Sequence, residues 1–427
     1  MQNHAPSRNS PLPKKRFCCT INRLIPKKKP PTHGGLDMKN GALKWTASYA
    51  VVQFFFWFAY GTALSYASPY LLACGLSNTA IGLINAAACT LSVLIQPALA
   101  AFADREKSPS LKVILTVLLG IMLLFSILLA VSTGKSGTVS GALLGVVILA
   151  LQLSLPLVNA LATESMNAGM PLNFGIARGF GSIGYAVMSF SMGQLIARKG
   201  PELQPPALVF FCVCLLLAIL CFPFRKRRRE LRGGGRDQGS ISAFIRHYPV
   251  FCVTLIGCVL IYVSHVLINN YVYQIVVAKG GGGEHMGIAM ALAGLLEVIP
   301  MFIFPWMLQK KNSGFWFRLS GIFFTLKVLG TQLASTMGAL YLVQLFQPMG
   351  WGLLTVASVY YVNEIMREQD RIKGQAYMTM SLTVATILGS LCGGWLIDTL
   401  GIDGMLLVAL ACGALGTGIV WFGKRDG

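Results

Sequence analysis

From residue 45 to residue 422 the chain alternates between long apolar runs and short polar connections. Each run is about 20 residues, the length a helix needs to cross a bilayer. The pattern predicts spans at Trp45–Leu72, Thr79–Phe102, Leu111–Ser132, Gly141–Thr163, Ile176 to just before Arg198, and Pro206–Phe224. After the polar stretch Arg225–Ser240 it predicts six more, at Tyr248–Val277, Met286–Leu308, Phe315–Ala334, Leu340–Tyr361, Ala376–Leu396 and Met405–Phe422. The expected fold class is therefore an all-α polytopic membrane protein of twelve transmembrane helices, arranged as two six-helix bundles. Helices are favoured because backbone polar groups in lipid must be satisfied within the span. Six spans, a linker and six more spans is the pattern of two parallel structural repeats. The expected divisions are a basic tail at 1–42, a first bundle at 43–224, a polybasic linker at 225–244 and a second bundle at 245–424.

Composition agrees with this pattern. The 427 residues are 55% hydrophobic and only 12% charged, about half the charged share of a soluble chain. Mean hydropathy is +0.64. A net charge of +20 invites a nucleic-acid partner, but the basic residues sit in the tail and in the connections. Twenty-nine of the 35 Lys and Arg fall on one side of the predicted topology, against four on the other (Lys135, Arg198, Lys199 and Lys279). That asymmetry places both termini and the linker in the cytoplasm and makes the lipid bilayer, not nucleic acid, the macromolecular surround. Residues 1–37 are rich in Lys, Arg and Pro without an apolar core, so they read as a disordered cytoplasmic tail and not as a signal peptide. Met38 is a conceivable true start. Cys18 and Cys19 are weak lipidation sites. The other cysteines lie mostly inside spans without metal-ligand spacing, and no disulfide, metal or cofactor is expected.

The stretch FGIARGFGSIGY, Phe174–Tyr185, carries the densest chemistry. It opens the fifth span with Arg178 and then Gly179, Gly181 and Gly184. Small residues at this spacing allow close helix approach, and an arginine entering the apolar zone needs a partner or a wet cavity. A snorkelling interfacial arginine above a packing face is the plain alternative. In the second half Glu297 is the only acid well inside a span, and Lys327 the only lysine. Burial favours the neutral carboxyl and a nearby cation the charged one. That is what a proton carrier requires, and a fixed Glu297–Lys327 pair is the structural alternative. The seventh span contributes His265 and Asn270, and the tenth Gln344, Gln347 and Trp351. His265 reads either as a cavity residue or as a core histidine bonded to a neighbouring helix.

These features resemble the major facilitator superfamily. FGIARGFGSIGY resembles the branch around the lactose permease. QPALAAFADREKSP (Gln96–Pro109) is similar to the superfamily's helix 2–3 signature, keeping Asp104 and Arg105 as the expected gating pair but holding Ala100 where the signature glycine belongs. Glu297–Pro300 and Gly374–Asp398 also resemble this branch. The resemblance implies the major facilitator fold and a mostly monomeric protein. It further implies that Arg178 binds solute hydroxyls and that Tyr185 stacks against a sugar-like ring. Residues seven apart share one helix face, and a planar donor fork with an aromatic platform suits such a ring. Asn159 stands where that branch has a helix 4 carboxylate, and Gln347, Gly350 and Lys327 stand where it has a histidine, a glutamate and an arginine. The familiar coupling set is therefore incomplete, leaving Glu297 and Lys327 for proton coupling.

The resulting expectation is a secondary transporter in the cell membrane. It carries a small-molecule solute, a sugar or similar polyhydroxylated compound including nucleosides, by proton-coupled symport. The predicted solute-binding residues are Arg178, Tyr185, Asn159, His265, Asn270 and Gln347. The alternatives are a transporter of a hydrophobic or amphiphilic solute and a non-transporting membrane sensor. No nucleophile–base pair or phosphate loop points to an enzyme.

Overall fold

The computed structural model describes residues 35–105, 108–132, 136–224, 241–368 and 370–423. Most of the predicted tail and linker, and Glu106 and Lys107 of the first charged turn, lie outside the described residues. In chain order the helices of the first half are α1 (Gly35–Leu64), α2 (Ala67–Ala73), α3 (Asn78–Asp104), α4 (Leu111–Val131), α5 (Gly137–Asn167), α6 (Phe174–Lys199) and α7 (Gln204–Cys221). Those of the second half are α8 (Ile241–His247), α9 (Pro249–Asn270), α10 (Val272–Ala278), α11 (Gly283–Leu296), α12 (Val298–Met307), α13 (Ser313–Leu333), α14 (Met337–Val343), α15 (Leu353–Ile365) and α16 (Arg371–Phe422). All contacts below lie within residues 42–423.

Several helix starts are written in the local sequence. Ser77, Ser110, Asn173, Asn312 and Thr336 each sit just before a helix, and each side chain accepts from the backbone N–H three residues on. A helix leaves its first amides without partners, and Ser, Thr and Asn supply one. At two other ends a lysine meets orphan carbonyls. Lys112 Nζ donates to Leu220 and Phe222 O, at 2.8 Å each, and Lys279 Nζ to Ala334 O at 2.6 Å. A cation there also opposes the negative end of the helix dipole.

Among the described residues, ten helical segments are long and apolar enough to cross a membrane, and the protein is multi-pass. The count reconciles with twelve expected spans for two reasons. Helix α13 carries Arg318 and Lys327 and is not among the ten. The last two spans run on as α16, whose one non-helical residue is Gly401 at φ 73° and ψ 179°. A left-handed φ costs glycine nothing, so a single residue replaces a loop. Four expected spans are broken. The first is interrupted between α1 and α2, the seventh at Tyr271, the eighth at Glu297, and the tenth between α14 and α15. In that last gap a 3₁₀ turn, Gln344–Phe346, is followed by a π-helical turn, Pro348–Gly352. Helix α1 also begins ten residues before the expected Trp45.

One large core, from Tyr49 to Phe222, lies wholly in the first half. Another, from Phe244 to Val420, lies wholly in the second. Between them the backbones approach at glycines. A Cβ on Gly193 would stand 2.7 Å from Gly283 O, and one on Gly394 2.0 Å from Asn78 O. Close packing of small residues is a main source of helix association in lipid.

The halves are fastened at one end. Asp398 accepts from Asn78 Nδ2 at 2.8 Å, Thr79 N at 2.8 Å and Thr79 Oγ1 at 2.6 Å. It thus serves the N-terminus of α3 from across the interface, where a carboxylate is favoured. Gln274 Nε2 donates to Asn78 Oδ1 at 2.9 Å, and Ser68 Oγ to Asn270 O at 3.3 Å. Toward the other end, Asn173 binds Thr46, Tyr248 binds Asp370 and Ser313 binds Glu364, each within one half. Asp398→Ala is expected to loosen the fastened end by about 1 kcal/mol. A cysteine placed at Gln274 should then react with a membrane-impermeant maleimide about fivefold faster, by the same Boltzmann factor; unchanged labelling would show that Asp398 is not a latch.

Candidate functional site

The site is built from α6 and α1 on one side and from the broken second-half helices on the other. Asn173 caps α6, and its first turns then place Arg178, Ser182 and Tyr185 along one stripe, as spacings of four and three require. Helix α1 supplies a second stripe at Tyr49, Gln53 and Trp57. Tyr49 Oη donates to Val158 O at 2.9 Å, Gln53 Nε2 to Tyr49 Oη at 2.7 Å, and Trp57 Nε1 to Gln53 Oε1 at 3.1 Å. The indole face lies under the guanidinium of Arg178, with Cζ 4.4 Å from the ring centroid. Tyr185 meets the same indole edge-on at 6.4 Å, and its hydroxyl is 3.0 Å from Ser65 Oγ.

Glu297 faces this stripe from the break between α11 and α12. Its carboxyl lies between two cations, Arg178 of α6 and Lys327 of α13, and is approached by Ser182 and Gln347. Lys327 is buried and donates to Gln347 Oε1 at 2.5 Å. Among the described residues, Glu297 closes to ion-pair distance with neither cation. Three features set this geometry. Glu297 is itself the residue between α11 and α12, and it is half-buried. The π turn carries Trp351 and follows directly on Gln347. The close approach of Gly352, whose Cβ would lie 2.6 Å from Glu297 O, locks the two breaks together. π turns often mark functional positions.

The structure therefore brings together six of the residues singled out in the sequence: Arg178, Tyr185, Glu297, Lys327, Gln347 and, one layer behind, His265. The His265 ring is buried and stacks on Trp351 at 4.5 Å, with the Phe324 edge at 5.4 Å, and it feels the charge of Lys327. Four others are elsewhere. Asn270 sits at the fastened end, donating to Ser390 Oγ at 2.9 Å. Asn159 is partly exposed on α5, and Thr163 Oγ1 donates to its backbone carbonyl. Arg105 ends α3 near the Phe102 ring at 6.0 Å, and the side chain of its expected partner Asp104 lies outside the described residues. Gln344, adjacent to the set, turns back to Leu340 O of its own segment.

Trp57, Gln53, Tyr49 and Ser182 are not among the sequence candidates. The first three follow a four-residue period, which is a legible signal. It is hidden in FFFWF, a run that reads as lipid-facing or core.

The MFS_1 like family model matches residues 46–405. No curated protein sequence matches the chain. Among solved structures it is similar to a mutant of the nucleoside transporter NupG, at TM-score 0.75 and 16% identity, covering 88% of this chain and 98% of that one. It is also similar to a mutant of the peptide transporter POT, at TM-score 0.64 and 12% identity over 89% and 96% of the two chains. A third similar structure is a bacterial homolog of the human lysosomal transporter Spinster in an inward-facing, unoccupied conformation, at TM-score 0.62 and 12% identity over 90% and 96%. With a family model spanning most of its length and this helical architecture, the chain belongs to the MFS_1 like family and is a multi-pass membrane transporter of small solutes, not an enzyme.

Proposed function

We propose that the protein is a proton-coupled symporter of a nucleoside or a similar polyhydroxylated solute, working by alternating access. It acts as a monomer in the cell membrane with both termini cytoplasmic. Residues 43–224 and 245–424 are its two bundles, and 1–42 and 225–244 its cytoplasmic tail and linker. The carrying observation is the convergence of Arg178 and Tyr185 from one half with Glu297, Lys327 and Gln347 from the other. A solute bound between them touches both halves, so its occupancy can bias their opening. The guanidinium offers a planar set of donors and Tyr185 a flat face, which together suit hydroxyls on a ring. The nucleoside transporter among the similar structures supports the same class. With the basic connections inside, the fastened end is the outer one and this conformation faces inward. Asn159, His265 and Asn270 keep their roles as solute-contacting residues only in other states of the cycle, since here they stand apart from or behind the cluster. Asp104 and Arg105 are proposed as the latch of the inner end.

The test is uptake of labelled uridine and a labelled hexose into cells expressing the protein, with and without a protonophore. Accumulation that collapses with the protonophore supports the reading. Arg178→Lys should weaken transport by more than Tyr185→Leu. The tyrosine contributes about 1 kcal/mol of stacking, whereas a point charge cannot reproduce the fork. Normal transport by Arg178→Lys would favour a hydrophobic or amphiphilic solute instead.

A further inference from the structure

Arg178 is held without a counter-ion at ion-pair distance among the described residues. Glu297 acts on it only through space. An unpaired guanidinium at this depth needs another partner. The indole of Trp57 supplies one, with its ring centroid 4.4 Å from Arg178 Cζ. That indole is not free to rotate, because its N–H is tied to Gln53, Gln53 to Tyr49, and Tyr49 to the Val158 carbonyl of α5. Gln53 and Tyr49 are 1% and 0% exposed, so the chain of bonds is shielded from competing water. A Cβ on Gly181 would stand 2.5 Å from Trp57 Cδ1 and 3.0 Å from Arg178 Nη1, so only glycine lets α6 lie over the indole at this distance.

We propose that Trp57 is the positioning residue for Arg178. Its clamped indole takes the place of a counter-ion, satisfying the guanidinium through its face and leaving the edge donors uncommitted for the solute. The consequence is chemical. A carboxylate partner would occupy two of the donors and neutralise the charge, whereas a ring face occupies none. Arg178 then recognises a solute rich in acceptors, and the Tyr49–Gln53–Trp57 ladder sets where that solute is read. This rests on the symporter reading above for its substrate but not for its geometry.

The experiment has two arms. In transport, Trp57→Leu should raise KM for uridine by about 3- to 30-fold, the span of a desolvated cation–π contact, with a smaller fall in turnover. Trp57→Met keeps the bulk without the π face and should do the same, while Trp57→Phe should restore most of the affinity. Gln53→Met does not touch Arg178, yet it should raise KM in the wild-type background and have no further effect in Trp57→Leu. In an Arg178→Lys background the Trp57 effect should vanish. The second arm needs no substrate. The Arg178 side-chain NMR signal, assigned by its loss in Arg178→Lys, should carry an upfield ring-current shift that disappears in Trp57→Leu and Trp57→Met and persists in part in Trp57→Phe. If the wild type carries neither uridine nor hexose, the symporter reading fails while this arm still decides the geometry. An unmoved Arg178 signal, or additive Trp57 and Arg178 effects on KM, would overturn the proposal.

Discussion

Glu297→Gln should abolish uphill accumulation while leaving solute exchange across the membrane intact. The carboxyl is partly buried at a helix break between Arg178 and Lys327. An ionised carboxylate withdrawn from water without a close partner costs several kcal/mol. It must therefore be protonated, paired or wetted at each stage of the cycle. In this conformation Arg178 and Lys327 and the Ser182 and Gln347 side chains surround it, and among the described residues neither cation is at ion-pair distance. Relative movement of the halves would change the separation of Glu297 from Arg178 more than that from Lys327, because Lys327 and Glu297 share one half. On the proposed symport mechanism, closing and opening alters the charge around one carboxyl, so that a proton is taken on one side and released on the other. Glutamine mimics the neutral form permanently. Counterflow of preloaded labelled uridine should persist in proteoliposomes while net uptake driven by a proton gradient disappears. Retained accumulation with the same pH dependence would make Glu297 a structural partner of Lys327.

Gly394→Ala should arrest the cycle. A Cβ at this position would lie 2.0 Å from Asn78 O, 2.5 Å from its carbonyl carbon and 2.8 Å from Thr79 N. All three are backbone atoms at the start of α3, where the Asp398 bonds anchor the chain, so no flexible tip can give way. The conformation fastened at this end then becomes inaccessible. A penalty of roughly 5.5 kcal/mol already inverts a 99:1 population. Uptake should fall to background, and a cysteine at Gln274, buried here, should become rapidly reactive to impermeant maleimide. Gly120→Ala, at a glycine with nothing within 4 Å, is the control. Transport by Gly394→Ala at the wild-type rate would mean that this contact is not part of the working cycle.

Much of this architecture is legible in the sequence, and what is not has a physical reason. Apolar run length marks the spans, and a Ser, Thr or Asn before a run marks several starts, because both depend on local chemistry. Arg178, Glu297 and Lys327 stand out because charge in a membrane helix needs an explanation. The breaks at Glu297 and Gln347 do not stand out. Each lies inside an apolar run, and each is fixed by the neighbour packed against it, as Gly352 is against the Glu297 backbone. Asn270 groups with the solute-binding residues in sequence because it is polar and near His265. A five-residue separation on α9, at the point where the helix ends, instead carries it to the fastened end. Trp57 shows the opposite failure, since the four-residue period that joins it to Gln53 and Tyr49 is masked by the phenylalanines around it.

The tenth span contains two twist defects of opposite sign side by side. Gln344–Phe346 is overwound, at 3.0 residues per turn against 3.6 in an α-helix, and Pro348–Gly352 is underwound, closed by Gly352 N to Gln347 O at 3.2 Å. The two defects turn the chain in opposite senses, so each offsets part of the other's effect on the phase between α14 and α15. Twist can therefore pass from one turn to the next without turning either flank. The residue at the boundary is Gln347, which holds Lys327, and the next one along the same face is Trp351, which covers His265. A small exchange of winding between the two turns would re-aim both side chains together, like the slipping of a screw thread by part of a pitch.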